Sequence, residues 1–294
     1  MRLVVLLLAG LSCASALSVV TADAQSTPAP GQQVALITGS TSGLGRELAL
    51  RLGSMGTHVI VHGRNRERGM EVVAAIERAG GSARFYAADL ASLEQVRAFA
   101  QAVLDDYQKL DLLINNAGIA FGQERSVSQD GHELHFQVNY LSHFLLTQML
   151  LPRIRESAPS RIVNVSSGAQ QAIDFDDVML EKNFTGGRAY AQSKLAQILH
   201  TFDLAEELDG TGVIVNALHP ATLMNTPMVL NAGVTPRATI EEGANAVMQL
   251  VTSPDIGSGG YFTGLRPTRA NAQAYDAQAR ARLKRLSEQL TGAR

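Results

Sequence analysis

The sequence of 294 residues has almost no cysteine and no large surplus of either charge, and these two features exclude several classes of protein. The one cysteine, Cys13, lies within the first 24 residues. If that stretch is removed, the remaining chain can form no intrachain disulfide, no thiolate zinc site and no cysteine nucleophile. Lys and Arg number 25 against 27 Asp and Glu, a formal net charge of −2. Proteins that bind nucleic acid usually carry a basic surplus, so no nucleic-acid partner is expected.

Proline- or serine-rich breaks are also lacking after residue 31, and the sequence contains no repeat and no low-complexity run. Hydrophobic residues make up 46% of the chain, as is typical of a globular protein with a sizeable core. Residues 32–294 are therefore predicted to form one domain, and residues 25–31 a linker that precedes it.

Residues 1–24 have the pattern of a secretory signal peptide. Arg2 supplies a positive start, residues 3–9 are apolar, and Ala22-Asp23-Ala24 is a small-x-small cleavage site. Three alternatives stay open: residues 3–20 could anchor the chain in a membrane, Cys13 could carry a lipid, or the true start could lie later. The protein is accordingly expected to be exported to the periplasm or membrane-associated if the leader is real, and cytoplasmic if the start is misassigned.

Short apolar runs alternate with longer segments of helical periodicity through the rest of the chain. Alternation of this kind predicts an α/β fold, a single Rossmann-type, doubly wound parallel sheet with helices on both faces. Ligands of such a fold bind at the carboxyl ends of the strands. The predicted strands are 34–38, 58–62, 83–88, 110–115, 161–166 and 213–217, and the predicted helices between them are 44–52, 68–79, 93–107, 133–155 and 189–208.

A glycine-rich turn, residues 38–45, joins the first predicted strand to the first predicted helix. Gly39 permits a tight turn, Gly43 lets the backbone approach a pyrophosphate, and Gly45 lets the helix pack closely on the sheet. The helix N-terminus offers N–H groups and a positive dipole end to the phosphates. A P-loop is excluded because Arg46 follows Gly45 where a lysine would be required. The predicted dinucleotide contacts of the turn are Gly39, Ser42, Gly43, Leu44 and Gly45.

The end of the second strand indicates which dinucleotide binds. An NAD enzyme usually has Asp or Glu there to bind the ribose 2′-OH, but this chain has Gly63 followed by Arg64. A guanidinium can bind a 2′-phosphate with two hydrogen bonds, whereas a carboxylate repels it. The sequence therefore predicts NADP(H) as cofactor, chiefly through Arg64, with a solvated basic turn that includes Arg66 and Arg68 as the alternative.

Two further strand ends carry candidate cofactor contacts. Asp89, with Leu90 after it, ends the third strand and is predicted to accept a hydrogen bond from the adenine amino group. Asn116 follows the fourth strand, and the small residues Ala117 and Gly118 would let the backbone lie against the adenosine ribose.

Tyr190 and Lys194 are four positions apart on a predicted helix, so they project from one face. A phenol ordinarily titrates near 10, and a nearby ammonium favours the phenolate and lowers its pKa. Such a tyrosine can exchange a proton with an alcohol or a carbonyl while hydride moves to or from a nicotinamide.

Four motifs in this order make the chain resemble the short-chain dehydrogenase/reductase family. They are the glycine-rich turn, the Asn-Asn-Ala-Gly strand end at 115–118, the Val-Asn-Val-Ser-Ser strand end at 163–167 and the Tyr-x-x-x-Lys pair. The resemblance covers roughly residues 32–265. It also implies a seventh strand at 260–262, which brings the predicted sheet to about seven strands.

The resemblance implies a catalytic tetrad and assigns each member a role. Asn139 would hold a water that relays protons to Lys194, and Ser167 would orient the substrate oxygen. Tyr190 would be the acid–base, and Lys194 would bind the nicotinamide ribose and tune the tyrosine. Ser167 is preferred to Ser166 because the second serine is the family's usual choice.

The sequence departs from the family pattern in two places, one of which bears on the cofactor and the other on the substrate. His219-Pro220-Ala221-Thr222 stands where the family usually has Pro-Gly, and Pro220 and Thr222 are the predicted contacts of this loop with the cofactor. Ser167 and Tyr190 are 23 positions apart, longer than in many members. This interval, with Gly63-Arg64-Asn65, looks like the retinol-dehydrogenase-like branch, which implies a bulky or medium-sized apolar alcohol or carbonyl as substrate. No metal site is expected.

The C-terminal part is predicted to contain a helix at 239–252 and a charged amphipathic helix at 270–291. The inner face of the second helix would carry Ala274, Leu283, Leu286 and Leu290, and its role as a lid or as a homo-oligomer contact stays open. The leading hypothesis is an NADP(H)-dependent short-chain oxidoreductase. The alternative is a non-catalytic, NADP-sensing regulatory protein on the same fold, although such proteins generally lose the Tyr/Lys pair.

Overall fold

A computed structural model describes residues 26–293. Within them, eight strands form one sheet, and all neighbours are parallel except the last pair. The strands are Val34–Ile37 (β1), His58–Gly63 (β2), Ser82–Ala87 (β3), Leu112–Asn115 (β4), Ser160–Val165 (β5), Val213–His219 (β6), Tyr261–Thr263 (β7) and Arg266–Pro267 (β8). Their order across the sheet is β3-β2-β1-β4-β5-β6-β7-β8, so strands are added on one side of β1 as far as β3 and on its other side from β4 onwards.

The predicted doubly wound sheet is confirmed. The central strands are continuous apolar runs because helices cover both of their faces, and every residue of β1, β2 and β4 is buried. The sheet gains an eighth strand beyond the predicted seven, since β8 folds back antiparallel on β7 through Phe262–Pro267 and Thr263–Arg266 pairs.

Helices pack on the sheet in two layers. One layer consists of α1, α2 and α8, and the other of α3, α5 and α6. The helices are Gly43–Ser54 (α1), Arg66–Arg78 (α2), Leu93–Asp106 (α3), Leu134–Phe136 (α4), Ser142–Glu156 (α5), Gly186–Glu207 (α6), Pro227–Asn231 (α7), Ile240–Thr252 (α8) and Ala277–Thr291 (α9).

The long helix predicted at 133–155 is interrupted by a π-helical turn at Gln137–Leu141, between α4 and α5. Asn139 lies at the centre of this turn and is fully buried. Single π turns within α-helices occur frequently at functional sites. The interruption therefore marks the position that the family resemblance assigns to the tetrad asparagine.

The C-terminal helix differs from its prediction in both start and register. It begins at Ala277 because the Asp276 carboxylate accepts backbone hydrogen bonds at its N-terminus, and a short 3-10 turn, Ala272–Tyr275, precedes it. Leu283 is buried as expected, but Leu286 and Leu290 are only partly buried. The buried stripe of α9 is Ala279, Leu283, Ser287 and Thr291.

Helix α9 packs on α6 and on the π-helical turn within the same chain. Arg280 pairs with Glu206 at 2.6 Å and Lys284 with Glu207 at 2.8 Å, which joins the exposed edges of the two helices. In the interior, the hydroxyls of Ser287 and Tyr140 lie 2.7 Å apart. The inner face of α9 is therefore used by an intramolecular contact.

The predicted leader, its anchor alternative at 3–20 and Cys13 lie outside the described residues. Among residues 26–293, no helix combines the length and the apolar character that crossing a membrane requires.

Candidate active site

The glycine-rich turn lies between the ends of β1 and β4, and its three predicted glycines each meet a steric requirement. Gly39 has φ +65°, and a Cβ there would lie 2.9 Å from Cα of Ala117. Gly43 has φ +53°. A Cβ on Gly45 would overlap the carbonyl oxygen of Gly39 and lie 2.5 Å from Nδ2 of Asn116. Only glycine fits these positions without strain, and the resulting cradle fits a pyrophosphate that approaches the backbone.

The N-terminus of α1 can bind an anion, because no side chain caps its first-turn N–H groups. Ser42 occupies the N-cap position without a side-chain cap hydrogen bond, whereas Asn65 and Thr239 cap α2 and α8 with their side chains. The first-turn N–H groups of α1 are thus left without a side-chain cap and suit phosphate oxygens. Leu44 is buried in the core beneath, so only its backbone can serve a ligand.

The end of β4 is fastened to the glycine-rich turn by hydrogen bonds. The Asn116 side-chain amide donates to the carbonyl of Thr38 at 2.8 Å, and the backbone N–H groups of Asn116 and Ala117 donate to Thr38 Oγ1 at 2.9 and 3.0 Å. The side chain of Asn116 therefore holds the turn in place, and Gly118 continues the same strand end towards Asn139.

The ends of β2 and β3 bring the two predicted adenosine contacts together. Nη1 of Arg64 lies 4.0 Å from Oδ1 of Asp89, and the arginine side chain is 73% exposed. Asp89 Oδ1 also accepts from the backbone N–H of Ala91 at 3.0 Å. Leu90 is buried, and its carbonyl accepts the Ser142 hydroxyl at 2.5 Å. The side chain of Leu90 thus belongs to the core, while Arg64 remains accessible to a ligand.

The side chains of Ser167 and Tyr190 lie close together between the end of β5 and α6, near enough for the Ser167 hydroxyl to lower the pKa of the phenol. The neighbouring Ser166 is used differently, because its hydroxyl donates to the backbone carbonyl of Lys194 at 2.7 Å. Ser166 therefore fastens α6 to the sheet, and Ser167 is the serine that faces the tyrosine.

The Lys194 ammonium is buried, and its hydrogen-bond partners among residues 26–293 are neutral. Nζ donates to the carbonyl of Val165 at 2.9 Å and to Oε1 of Gln197 at 3.0 Å, and it lies 5.8 Å from the centroid of the Tyr190 ring. Burial lowers the pKa of Lys194 from 10.5 to about 7. A buried ammonium with only neutral partners loses part of its hydration, which favours the uncharged amine.

The direction expected for Tyr190 is wrong in the protein alone. Burial raises its pKa above the ordinary value, and the hydrogen bond with Ser167 opposes this only in part. Lys194 is not among the causes of the shift. Its ammonium is held by Val165 and Gln197, and loss of hydration at the phenol outweighs the opposing hydrogen bond. The phenol is therefore protonated at neutral pH.

Asn139 is held on both sides by polar groups. Its Oδ1 accepts from the N–H of Ile119 at 2.8 Å, and its Nδ2 donates to the Ile119 carbonyl at 3.1 Å and to Ser193 Oγ at 2.9 Å. A Cβ on Gly118 would lie 3.2 Å from Asn139 Oδ1 and 3.4 Å from Lys194 Nζ. A side chain at position 118 would therefore crowd both Asn139 and Lys194, and glycine avoids this.

The loop after β6 completes the edge of the site. Pro220 is buried, and the hydroxyl of the exposed Thr222 lies 2.9 Å from Nε2 of His219. The imidazole of His219 also lies against Gly168, directly after Ser167. Pro220 and Thr222 therefore lie beside the strand end that carries Ser167.

Sequence reasoning missed Thr38, His143 and Gln197, all of which hold site residues in place. His143 follows Asn139 by four positions, the same spacing that identified Tyr190 and Lys194, so helical periodicity could have indicated it. Gln197 carries no comparable signal, since a glutamine on a helix ordinarily faces solvent.

Metal ligands are not clustered in the described part of the chain. No group of three or more His, Cys, Asp or Glu side chains there could hold a metal ion. His135 instead contacts Oε1 of Glu133 through Nδ1 at 2.8 Å.

Comparison with known proteins defines the class to which this fold and site belong. The family model for short chain dehydrogenases matches residues 33–237. The chain belongs to the short-chain dehydrogenase family and is an oxidoreductase of its retinol-dehydrogenase-like branch. Members of this family use a nicotinamide dinucleotide, NAD(H) or NADP(H).

Particular relatives support this membership over most of the chain. Retinol dehydrogenase 14 of Mus musculus is 38% identical over 285 residues, which cover 87% of this chain and 85% of that protein. Retinol dehydrogenase 13 of Mus musculus is 36% identical, with 90% and 84% covered. A crystal structure of an uncharacterized protein from Mycobacterium paratuberculosis superposes with a TM-score of 0.75 at 32% identity, covering 90% of this chain and 96% of that one. An NADP active-site complex of Pseudomonas aeruginosa RhlG has a TM-score of 0.64 at 28% identity, with 79% and 94% covered.

Proposed function

We propose that the protein transfers hydride between NADP(H) and a bulky or medium-sized apolar alcohol/carbonyl pair, with Tyr190 as the acid–base. The observation that carries the proposal is the grouping of Ser167, Tyr190 and Lys194. The Ser167 side chain is near enough to lower the pKa of Tyr190, and the buried Lys194 Nζ lies 5.8 Å from the centroid of the tyrosine ring. Two hydroxyls that lie close together at the carboxyl end of a parallel sheet can both reach one substrate oxygen.

Each residue of the pair has a distinct task. When bound, the nicotinamide supplies or accepts the hydride. Ser167 donates a hydrogen bond that orients the substrate oxygen and polarises its bond to carbon. Tyr190 gives its phenolic proton to that oxygen during reduction and takes a proton from the alcohol during oxidation. Lys194, next to the tyrosine on α6, favours the phenolate that forms after the proton has left.

The raised pKa of Tyr190 suits the reductive direction, because the phenol then carries its proton at neutral pH. Once the proton has moved, the phenolate needs positive charge nearby, and Lys194 Nζ is 5.8 Å from the ring centroid. Asn139 would serve the relay that returns a proton to Lys194, since both side chains lie next to Gly118.

The preference for NADP(H) is supported by the charge at the end of β2. Arg64 is the residue directly after Gly63, at the position where an NAD enzyme usually has a carboxylate. Its side chain is largely exposed and its contact with Asp89 is long, at 4.0 Å. An exposed ion pair of this length is weak, so a 2′-phosphate can draw the guanidinium away from Asp89.

An apolar substrate is supported by the segment after β6. Met228 and Leu230 on α7 are 39% and 52% exposed, although side chains of this size are usually buried. The preceding Thr226 lies against Gly43 of the glycine-rich turn, so α7 begins beside the cofactor cradle. The relatives named retinol dehydrogenases agree with a large apolar substrate.

The proposal is tested by steady-state kinetics of the full chain with NADPH and with NADH. The carbonyl panel contains all-trans-retinal, a long-chain aldehyde and acetaldehyde. We expect turnover with NADPH and a kcat/KM that rises with apolar size. NADPH binding without turnover of any substrate would favour the alternative of a dinucleotide sensor, and a preference for acetaldehyde would contradict the substrate class.

A further inference from the structure

A buried chain of hydrogen bonds joins the π-helical turn to the glycine-rich turn. Nδ1 of His143 lies 3.0 Å from the backbone carbonyl oxygen of Asn139, and its Nε2 lies 2.9 Å from Thr38 Oγ1. Thr38 Oγ1 in turn accepts the backbone N–H groups of Asn116 and Ala117. These hydrogen bonds therefore connect the strand ends predicted to hold the dinucleotide with the π-helical turn that carries Asn139.

The Asn139 carbonyl at one end of this hydrogen-bond series and the Thr38 hydroxyl at the other determine which groups donate and which accept. A carbonyl oxygen can only accept, so Nδ1 of His143 must carry a proton. The oxygen of Thr38 already accepts two N–H groups and has its own proton to donate. The other acceptor near that hydroxyl, the Ile114 carbonyl, is farther away at 3.5 Å and already accepts the Thr38 N–H. The hydroxyl thus donates to Nε2, which must be unprotonated.

The three residues of this hydrogen-bond series are buried, so a polar group left there without a hydrogen bond would destabilise the fold. His143 is 2% exposed, and Thr38 and Asn139 are fully buried. Burial lowers the pKa of His143 to about 3, the charges of Lys194 and His62 act in the same direction, and the Asn139 carbonyl opposes them. A protonated imidazole would also place an N–H against the Thr38 oxygen, which has no acceptor site left.

We propose that His143 is a positioning residue that sets Asn139 relative to the glycine-rich turn, as a neutral imidazole with its proton on Nδ1. The imidazole touches no reacting atom and acts through Asn139, so the inference rests on the proposed function of that residue. The imidazole spans the space between α5 and the end of β1 and fixes their separation at both ends. A displacement of about 1 Å in such a site can cost on the order of 10²-fold in rate.

Two conservative variants distinguish the hydrogen bond between His143 and Thr38 from the hydrogen bond between His143 and the Asn139 carbonyl. In His143→Gln the amide reaches about as far as Nε2, so Oε1 can accept the Thr38 hydroxyl. In His143→Asn the shorter amide can still donate to the Asn139 carbonyl but cannot reach Thr38. His200→Phe is the control, since His200 is also buried beside this region and its Nε2 has no hydrogen-bond partner among residues 26–293.

The kinetic test measures kcat and the dissociation constant of NADPH for the three variants of the full chain. We expect His143→Asn to lower kcat about tenfold or more while the NADPH dissociation constant stays within about threefold. His143→Gln should retain kcat within about threefold, and His200→Phe within about twofold. Equal kcat values for the Gln and Asn variants would overturn the proposal, as would a loss that follows the NADPH affinity alone.

A spectroscopic measurement tests the same proposal without activity, so its failure is distinct from a failure of the proposed function. The chain has seven histidines, and 15N-histidine NMR of the wild type reports the tautomer of each. The signal that His143→Gln removes should show a protonated Nδ1 and a bare Nε2, unchanged from about pH 5 to pH 8. Protonation on Nε2, or titration within that range, would overturn the proposal.

Discussion

Burial shifts the proton equilibria of Tyr190 and Lys194 towards their neutral forms. The pKa of the phenol rises and that of the ammonium falls to about 7, because burial removes the hydration that the charged form of each group would have in water. The sequence identified both residues from their spacing. It could not give the direction of the tyrosine shift, which depends on how Val165 and Gln197 hold the lysine.

We expect the buried Lys194 to lower the free energy of unfolding of the protein. Replacing it by methionine should raise the free energy of unfolding at pH 7 by on the order of 1–3 kcal/mol, because the fold no longer buries a group that favours charge. The folded state binds fewer protons at Lys194 than the unfolded state between about pH 7 and pH 10.5. Wild-type stability should therefore rise relative to the variant with pH across that window.

Urea unfolding of both proteins at several pH values measures this difference. Lys284→Met is the matched control, since the pKa of Lys284 is raised by its hydrogen bond with Glu207 and its loss should be destabilising. A gap between wild type and Lys194→Met that stays constant or widens as pH rises would contradict the assigned cause.

The second prediction concerns cofactor choice. Arg64→Asp should lower the ratio of kcat/KM with NADPH to kcat/KM with NADH by on the order of 10²-fold, because the carboxylate repels a 2′-phosphate and accepts from a 2′-OH. Arg78→Asp makes the same charge change on an exposed residue at the far end of α2 and should leave the ratio unaltered. Selectivity that is the same in wild type and Arg64→Asp would refute the role of Arg64.

At the scale of the element, the glycine-rich turn and α1 form one unit that excludes side chains at defined points. Gly45→Ala places a methyl against the Gly39 carbonyl and the Asn116 amide, which must then separate. We expect NADPH affinity to fall about tenfold or more, as the first turn of α1 moves away from the phosphates.

Isothermal titration with NADPH measures this effect. The matched control is Gly187→Ala on α6, where a Cβ meets nothing within 4 Å and the helix should gain a few tenths of a kcal/mol up to about 1 kcal/mol in stability. Unchanged NADPH affinity in Gly45→Ala would show that the close approach at the turn does not shape the binding site.

The register of α9 gives a further test. Leu283→Ala should lower the free energy of unfolding by about 2–5 kcal/mol, since Leu283 is 1% exposed and packs in the core beneath the helix. Leu286→Ala, on the partly buried edge, should cost less than about 1 kcal/mol. Equal losses in urea unfolding would instead fit the register predicted from sequence, in which both leucines face inward.

Element prediction succeeded where the apolar pattern is long and failed where a local hydrogen bond decides. The runs that became β1, β2 and β4 are continuous and buried, so periodicity identified them to within a few residues. The π-helical turn at Gln137–Leu141 changes the backbone bonding without changing the apolar pattern. The start of α9 depends on the Asp276 cap, which splits a segment that reads as one amphipathic helix.

At the scale of the whole molecule, the site exists because two halves of one sheet meet at β1 and β4. The dinucleotide turn belongs to the first half. In the second half, Ser167 follows β5, and Tyr190 and Lys194 lie on α6. Strand alternation predicts this meeting, since the chain order alone places both sets at the carboxyl edge. It does not predict the buried link through Thr38 and His143, because that link depends on side-chain geometry across 105 positions of sequence separation.

Helix α9 packs on the outer face of α6, the helix that carries Tyr190 and Lys194. Its ion pairs with Glu206 and Glu207 and the contact between Ser287 and Tyr140 hold it on the outer face of that helix. The motifs from which the sequence is seen to resemble the dehydrogenase family all precede this segment, so they carry no information on it. The charged amphipathic pattern alone left open what its inner face would meet.

The most direct test of the molecule's proposed chemistry is the NADPH-dependent reduction of all-trans-retinal by Tyr190→Phe, measured as single-turnover NADPH oxidation beside NADPH binding. Removing the phenolic oxygen leaves the ring in place, so NADPH should bind within about threefold of wild type while the rate falls on the order of 10³-fold or more. A variant that binds NADPH and oxidises it at a rate within about tenfold of wild type would contradict the assignment of Tyr190 as the acid–base.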